Sequence, residues 1–391
     1  MNRLILRTGH DRRVRQGHPW VFSNEIDRID GQPEPGETLT VCSASGQVLG
    51  TAYFNPKSLI AARLLSRNEE EIDTIDFFRR KLQAALAYRQ EIYGDLNALR
   101  LVHGEADGLP GLVVDRYDRV LVLQLLTLGM ERRRDVILQA LKELLNPLAV
   151  IARNDVAVRE LEGLPQKVEH ISGQLPESLL ITEHGLRFEV DVLQGQKTGH
   201  FLDQKENHAA LKGRVEGRRV LDLFCYSGSW SIHAARYGAA KVLGIDISER
   251  AVELARSNSR QNFQEQTCSF RQSDVFEELK VLQARGERFD TIILDPPAFV
   301  KSKKRLQQAV RGYLTVNRRA MELLQPGGYL FTCSCSYHMQ REIFLDTLRQ
   351  AARKGGRDLR LVEQRGQAYD HPILLNCPET DYLKCFVLQV L

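Results

Sequence analysis

Beyond residue 218 the apolar pattern alternates in period. Compact apolar runs at 220–224, 241–246, 269–272, 289–294 and 329–334 read as strands. The stretch after 224 up to 237, and those at 249–262, 306–324 and 340–354, repeat their apolar residues every three or four positions and read as helices. Two more runs, 359–364 and 382–391, complete a sheet. Repeated strand–helix units predict a mostly parallel sheet with helices on both faces.

The earlier part of the chain has a different pattern. Short runs at 39–41, 48–54 and 60–65, separated by Ser and Gly turns, predict a small barrel or sandwich over residues 1–70. Trp20 and Phe22 alternate onto one face, and barrel core is the expected place for both. A charged linker leads into a helix at 75–93, stopped by Gly94. Strands at 99–102, 112–115 and 120–126, a helix at 131–145 and a strand at 150–152 follow. Residues 74–178 thus read as a central α+β domain, 179–204 as a β-hairpin with a polar loop, and 205–391 as the alternating domain. The expected fold class is multidomain α/β: an N-terminal β-barrel, a central α+β domain and a Rossmann-like seven-stranded C-terminal domain.

Composition changes this picture little. A 43% hydrophobic share over 391 residues supplies more than one core. A net charge of +4 is too small to argue nucleic-acid binding, so any such case rests on local clusters. The seven cysteines are scattered and form no C-x-x-C pair, which suggests neither a disulfide framework nor a zinc site and fits a reducing cytoplasm. No membrane span, signal segment or metal is expected.

The chemistry gathers in the last domain. The run Val220-Leu221-Asp222-Leu223-Phe224 breaks at Ser227-Gly228 into a helix, the strand–turn–helix unit of a nucleotide site. With one glycine in place of three, it is not a diphosphate cradle. Asp222, Asp246, Asp274 and Asp295 close successive strands, and such positions collect at one edge of a parallel sheet. Asp246 is spaced to hold ribose hydroxyls and Asp274 an adenine amino group. An acid where a phosphate site would carry amides suits a ligand with an ammonium end, which resembles the S-adenosylmethionine-binding fold. Asp222, Phe224, Tyr226, Gly228, Ile247, Val275 and Asp295 are expected to line the same ligand, as are Phe201, Asp203 and Gln204 of the polar loop at 194–204.

Two further motifs concern an acceptor. Asp295-Pro296-Pro297-Ala298-Phe299 is a stiff turn just past a buried strand, of the kind that grips a nucleobase edge. Thr332-Cys333-Ser334-Cys335-Ser336 ends the next strand. A thiolate there could add to carbon 6 of a pyrimidine and make carbon 5 nucleophilic. If the strand persists, Cys333 and Cys335 point the same way. A basic run including Lys301, Lys303 and Lys304 lies between the two motifs, and Arg12, Arg13 and Arg15 form a second cluster; both suit phosphate contact.

Together these motifs resemble the PUA-domain-containing 23S ribosomal RNA large subunit methyltransferase I family over essentially the whole chain. Gly17-His18-Pro19-Trp20-Val21-Phe22 looks like its N-terminal signature, and residues 195–204 match its loop before the last domain. The resemblance implies a PUA domain over 1–70, an S-adenosylmethionine cofactor, 5-methylcytosine formation in 23S ribosomal RNA or a large-subunit particle, Cys335 as nucleophile and a homodimer. Asp295 would hold the N3/N4 edge of the base, with Pro296, Pro297 and Phe299 beside it. Two alternatives are methylation of an exocyclic base amine, which gives Cys335 no work, and a non-catalytic RNA-binding assembly factor.

Overall fold

The computed structural model describes residues 2–299 and 306–391. Two compact units form: residues 1–181, 190–202 and 369–380 in one, and 182–189, 203–368 and 381–391 in the other.

The first unit carries two sheets. One has six strands, with Arg3–Leu6 parallel to Thr38–Cys42, and the hairpin Val48–Phe54 and Ile60–Ser66 beside it. Its core is small and mostly aliphatic, with Leu4, Leu6, Val21, Leu39, Val41, Ala52 and Leu64 around one aromatic ring, Phe54. The expected placement of Trp20 and Phe22 in that core is corrected. Val21 is the inward residue of the short strand Trp20–Phe22, and its two neighbours are half-buried on the other face. Trp20 Nε1 donates to Glu105 Oε1 at 2.9 Å, so its polar end is satisfied outside the barrel core. The second sheet has five strands, packed by the helices Ile75–Tyr93 and Arg134–Leu145. Thr74 caps the first helix by accepting from Phe77 N, and Gly94 ends it with φ 66°. The helix expected at 131–145 is broken at Arg133 into two pieces, Leu128–Arg132 and Arg134–Leu145.

The second unit is built on a seven-stranded sheet. Its strands in chain order are β1 (Arg219–Leu223), β2 (Lys241–Asp246), β3 (Cys268–Gln272), β4 (Phe289–Leu294), β5 (Leu324–Ser334), β6 (Leu359–Arg365) and β7 (Lys384–Val390). They lie in the order β3-β2-β1-β4-β5-β7-β6, with only β7 antiparallel to its neighbours. The order reverses between β1 and β4, so a crevice opens at the carboxyl ends of these strands. Helices α1 (Ser229–Arg236), α2 (Glu249–Gln261), α3 (Val275–Ala284), α4 (Leu306–Leu323) and α5 (Arg341–Lys354) cover the faces.

Strand alternation sorts the side chains. Leu221 and Leu223 pack with Tyr313, Val316, Met321 and Phe344 on one face. Val220, Ile293, Phe331 and Cys333 pack with Trp230 and Ala234 on the other. Each fully buried leucine contributes about 1.5–3 kcal/mol relative to exposure. Asp222 falls in register on the Val220 face and is fully buried there, a carboxylate inside an apolar layer.

Candidate active site at the carboxyl edge of the seven-stranded sheet

The turn from β1 to α1 is held in an uncommon conformation. Phe224, Tyr226 and Gly228 all have positive φ, at 65°, 45° and 82°. Non-glycine residues in this region cost about 1 kcal/mol or more each and collect at ligand sites. Asp246 pins the turn: its Oδ2 accepts from Tyr226 N at 3.0 Å and its Oδ1 from Ser248 N at 2.9 Å. Gly228 is required by packing, since a Cβ there would meet Ala255 and Phe270 at 3.0–3.1 Å.

Asp222 accepts a 2.6 Å bond from Ser231 Oγ, while its Oδ1 has no hydrogen-bond partner. Burial pushes its pKa up to about 7; the bond from Ser231 opposes the rise and the Asp295 charge adds to it. Asp274 is exposed and caps α3, accepting from Glu277 N. Beside these acids, Val275 is buried and Ile247 is 64% exposed.

Asp295 follows β4, and two side chains hold its Oδ2. Trp230 Nε1 donates at 3.1 Å and Gln204 Nε2 at 2.9 Å. Trp230 is itself packed edge-on by His208 (4.7 Å) and by Phe331 (6.0 Å). Gln204 Oε1 accepts from Asn207 Nδ2 at 2.6 Å, and the neighbouring Asp203 accepts from the Tyr382 hydroxyl at 2.7 Å. Gln204 is thus tied to the sheet edge. Phe201 is half-buried, with the Lys197 ammonium 4.4 Å from its ring centre.

On the next strand the two cysteines part. β5 ends at Ser334, so alternation stops before Cys335. Cys333 is 0% exposed in the core opposite Cys385, and burial pushes its thiol up. Cys335 is the only cysteine that is not buried. The expectation that both point one way rested on the strand continuing through Cys335, and the strand ends one residue short of it. The Tyr313 ring from α4 lies 4.7 Å from Phe299, and Phe299 also meets Phe224 and Phe276. The buried Tyr313 hydroxyl lies beside Ser334 Oγ and the Phe299 backbone without a well-aligned hydrogen bond to either. Burial is the main cause of the raised Tyr313 pKa, and the charges of Cys335 and Asp295 add to it. Pro296 is buried and Pro297 exposed.

The edge therefore brings together Asp222, Phe224, Tyr226, Gly228, Asp246, Asp295, Phe299 and Cys335. Trp230 and Tyr313 belong with them and went unread in the sequence, as one resembled a helix-core residue and the other a helix-face aromatic. Lys301, Lys303 and Lys304 lie outside the described residues. Of the arginine cluster, Arg13 stacks on Phe22 at 4.5 Å and pairs with Glu25, Arg15 pairs with Asp11, and Arg12 is exposed.

A family model for S-adenosylmethionine-dependent methyltransferases matches residues 99–375, and one for PUA-like domains matches residues 4–67. The ribosomal RNA large subunit methyltransferase I of Erwinia tasmaniensis is 41% identical over 393 positions, covering 100% of this chain and 99% of that protein. The chain belongs to that family. The Escherichia coli relative of the same name is 39% identical, again over 100% and 99% of the two chains. A methyltransferase crystal structure with S-adenosylhomocysteine bound superposes with a TM-score of 0.87 at 22% identity, each chain covered completely. An S-adenosylmethionine-dependent methyltransferase structure from Streptococcus mutans gives 0.85 at 22%, also over both whole chains. At that identity the likeness shows the fold.

The cofactor is S-adenosylmethionine. The residues present fit it: a strained turn without a phosphate cradle, Asp246 at the tip of β2, and an unmet acceptor on buried Asp222. This donor set suits hydroxyls and an ammonium rather than a diphosphate. No helix among the described residues is long and apolar enough to cross a membrane.

Proposed function

We propose that the protein methylates carbon 5 of a cytosine in 23S ribosomal RNA. The observation that carries this reading is the position of Cys335, the one cysteine not buried, just past β5, whose neighbour β4 is followed directly by Asp295. The ribosomal substrate is supported by the names of relatives about 40% identical over the whole chain.

S-adenosylmethionine supplies a methyl group on a sulfonium. Asp222, Asp246 and Asp274, with Asp203, Gln204, Phe224, Tyr226, Gly228, Ile247 and Val275, form the donor half of the site. Asp295, oriented by Trp230 and Gln204, accepts from the cytosine N4 amino group and can supply a proton to N3. Pro296, Pro297 and Phe299 flank the base, which must leave its stack to enter. The Cys335 thiolate bonds to carbon 6, carbon 5 takes the methyl group, and loss of the carbon-5 proton returns the sulfur's electron pair. Arg12, Arg13, Arg15, Lys301, Lys303 and Lys304 would contact RNA phosphates. The protein would work in the cytoplasm, as a homodimer and without a metal.

Nucleoside mass spectrometry of 23S ribosomal RNA from a deletion strain tests the reading. One 5-methylcytosine should disappear and return with the wild-type gene; an unchanged profile refutes it.

A further inference from the structure

Lys384 opens β7 opposite Ser334, the last residue of β5. It is 3% exposed, an unusual place for a lysine. Its ammonium donates to Ser336 O at 2.6 Å and to Tyr382 O at 2.8 Å. An ammonium has three protons, so two are spent on carbonyls and one is left. Ser336 directly follows Cys335, and its carbonyl anchors the ammonium where the chain leaves β5. Burial brings the Lys384 pKa down to about 8, and Cys335 is the strongest of the negative neighbours that hold it up, ahead of Asp381.

Among the described residues, other charged and titratable groups act near this pair. The charges of Cys335 and of Asp295 after β4 both act on Tyr313 from α4. Arg341 at the start of α5 and Asp381 before β7 act on Lys384 and oppose each other. A nearby carboxylate disfavours a thiolate, and a nearby cation favours it.

We infer that Lys384 is a positioning residue for the proposed carbon-5 chemistry: its buried ammonium, fixed by the Ser336 and Tyr382 carbonyls, holds Cys335 as a thiolate. This rests on the reading of Cys335 as the nucleophile. The thiol proton goes to solvent before the base docks. A sulfur lone pair then forms the bond to carbon 6, and the displaced π pair reaches carbon 5. Carbon 5 bonds the methyl as the sulfonium–methyl bond breaks, its pair staying on the thioether. When the carbon-5 proton leaves to solvent, the carbon–sulfur pair returns to sulfur and Lys384 balances the charge again.

The test is the pH dependence of iodoacetamide alkylation of Cys335 in the full-length protein, read by peptide mass spectrometry. The other six cysteines are buried, so the modified peptide reports this one. The wild-type midpoint should lie below the free-cysteine value of about 8.5. Lys384→Met should raise it by about one unit or more, slowing alkylation at pH 7 about tenfold, and Lys384→Arg should restore most of the shift because charge, not packing, is what matters. A wild-type midpoint at or above that of free cysteine overturns the inference, as does the same midpoint in wild type and Lys384→Met. If Lys384→Met does not fold, the wild-type midpoint decides. Alkylation does not depend on methyl transfer, so full activity in Cys335→Ala would sink the nucleophile assignment and leave this result standing by itself.

Discussion

Trp230 Nε1 donates a 3.1 Å hydrogen bond to Asp295 Oδ2, joining the first turn of α1 to the residue after β4. Both ends of that bond are set by packing. The indole is clamped by His208 and Phe331, and Asp295 is fixed again from the other side by Gln204. In the proposed reaction this bond aims the carboxylate at the base. Trp230→Phe keeps an aromatic ring in the clamp and removes only the donor. We expect kcat for methyl transfer to fall by about tenfold to a hundredfold, with calorimetric S-adenosylmethionine affinity changed less than threefold.

Asp222 separates stability from cofactor binding. Its folded pKa, about 7, lies above the ordinary carboxyl value. The folded state therefore holds the proton more tightly, and stability falls as pH rises from about 4 to about 7. Above that range the native state keeps a buried charge that the unfolded state solvates. Asp222→Asn should therefore be more stable than wild type by on the order of 2–4 kcal/mol at pH 8, with the gain vanishing below pH ~4. Urea melts across pH check this. The same variant should bind S-adenosylmethionine more weakly, because a ligand ammonium would lose its carboxylate.

The two neighbouring cysteines should give opposite phenotypes. Cys333 is sealed in the core beside Cys385, so Cys333→Ala should cost about 1–2 kcal/mol in denaturant melts and retain methyl transfer. Cys335 is partly exposed, so Cys335→Ala should leave stability within about 0.5 kcal/mol and lose methyl transfer.

Tyr313 carries a buried hydroxyl without a well-aligned hydrogen bond. Tyr313→Phe removes a poorly satisfied group without changing the ring, so thermal stability should stay within about 1 kcal/mol of wild type. Cofactor affinity measured by calorimetry should be unchanged.

The sheet was legible in the sequence because buried parallel strands are near-continuous apolar runs and the helices between them are periodic. The Asp295-Pro296-Pro297 turn and Cys335 stood out because each follows a buried apolar strand, at the edge where such sheets place ligands. What stayed hidden depends on contacts distant in sequence. Trp230 looks like one more apolar helix residue until His208 and Phe331 close on it, and Lys384 looks like a surface lysine until antiparallel β7 places it beside Ser336. Trp20 and Phe22 misled for a local reason: in a three-residue strand either face can be the inner one, and Val21 takes it.

The central claim is a covalent bond between Cys335 and the target base. RNA carrying 5-fluorocytidine at the modified position cannot lose a proton from carbon 5, so the adduct should persist once methyl transfer has occurred. With S-adenosylmethionine present, a denaturation-resistant protein–RNA band should form with wild type and be absent with Cys335→Ala, and mass spectrometry should place the link on Cys335. No band with wild type, or full methyl transfer by Cys335→Ala, would contradict the account.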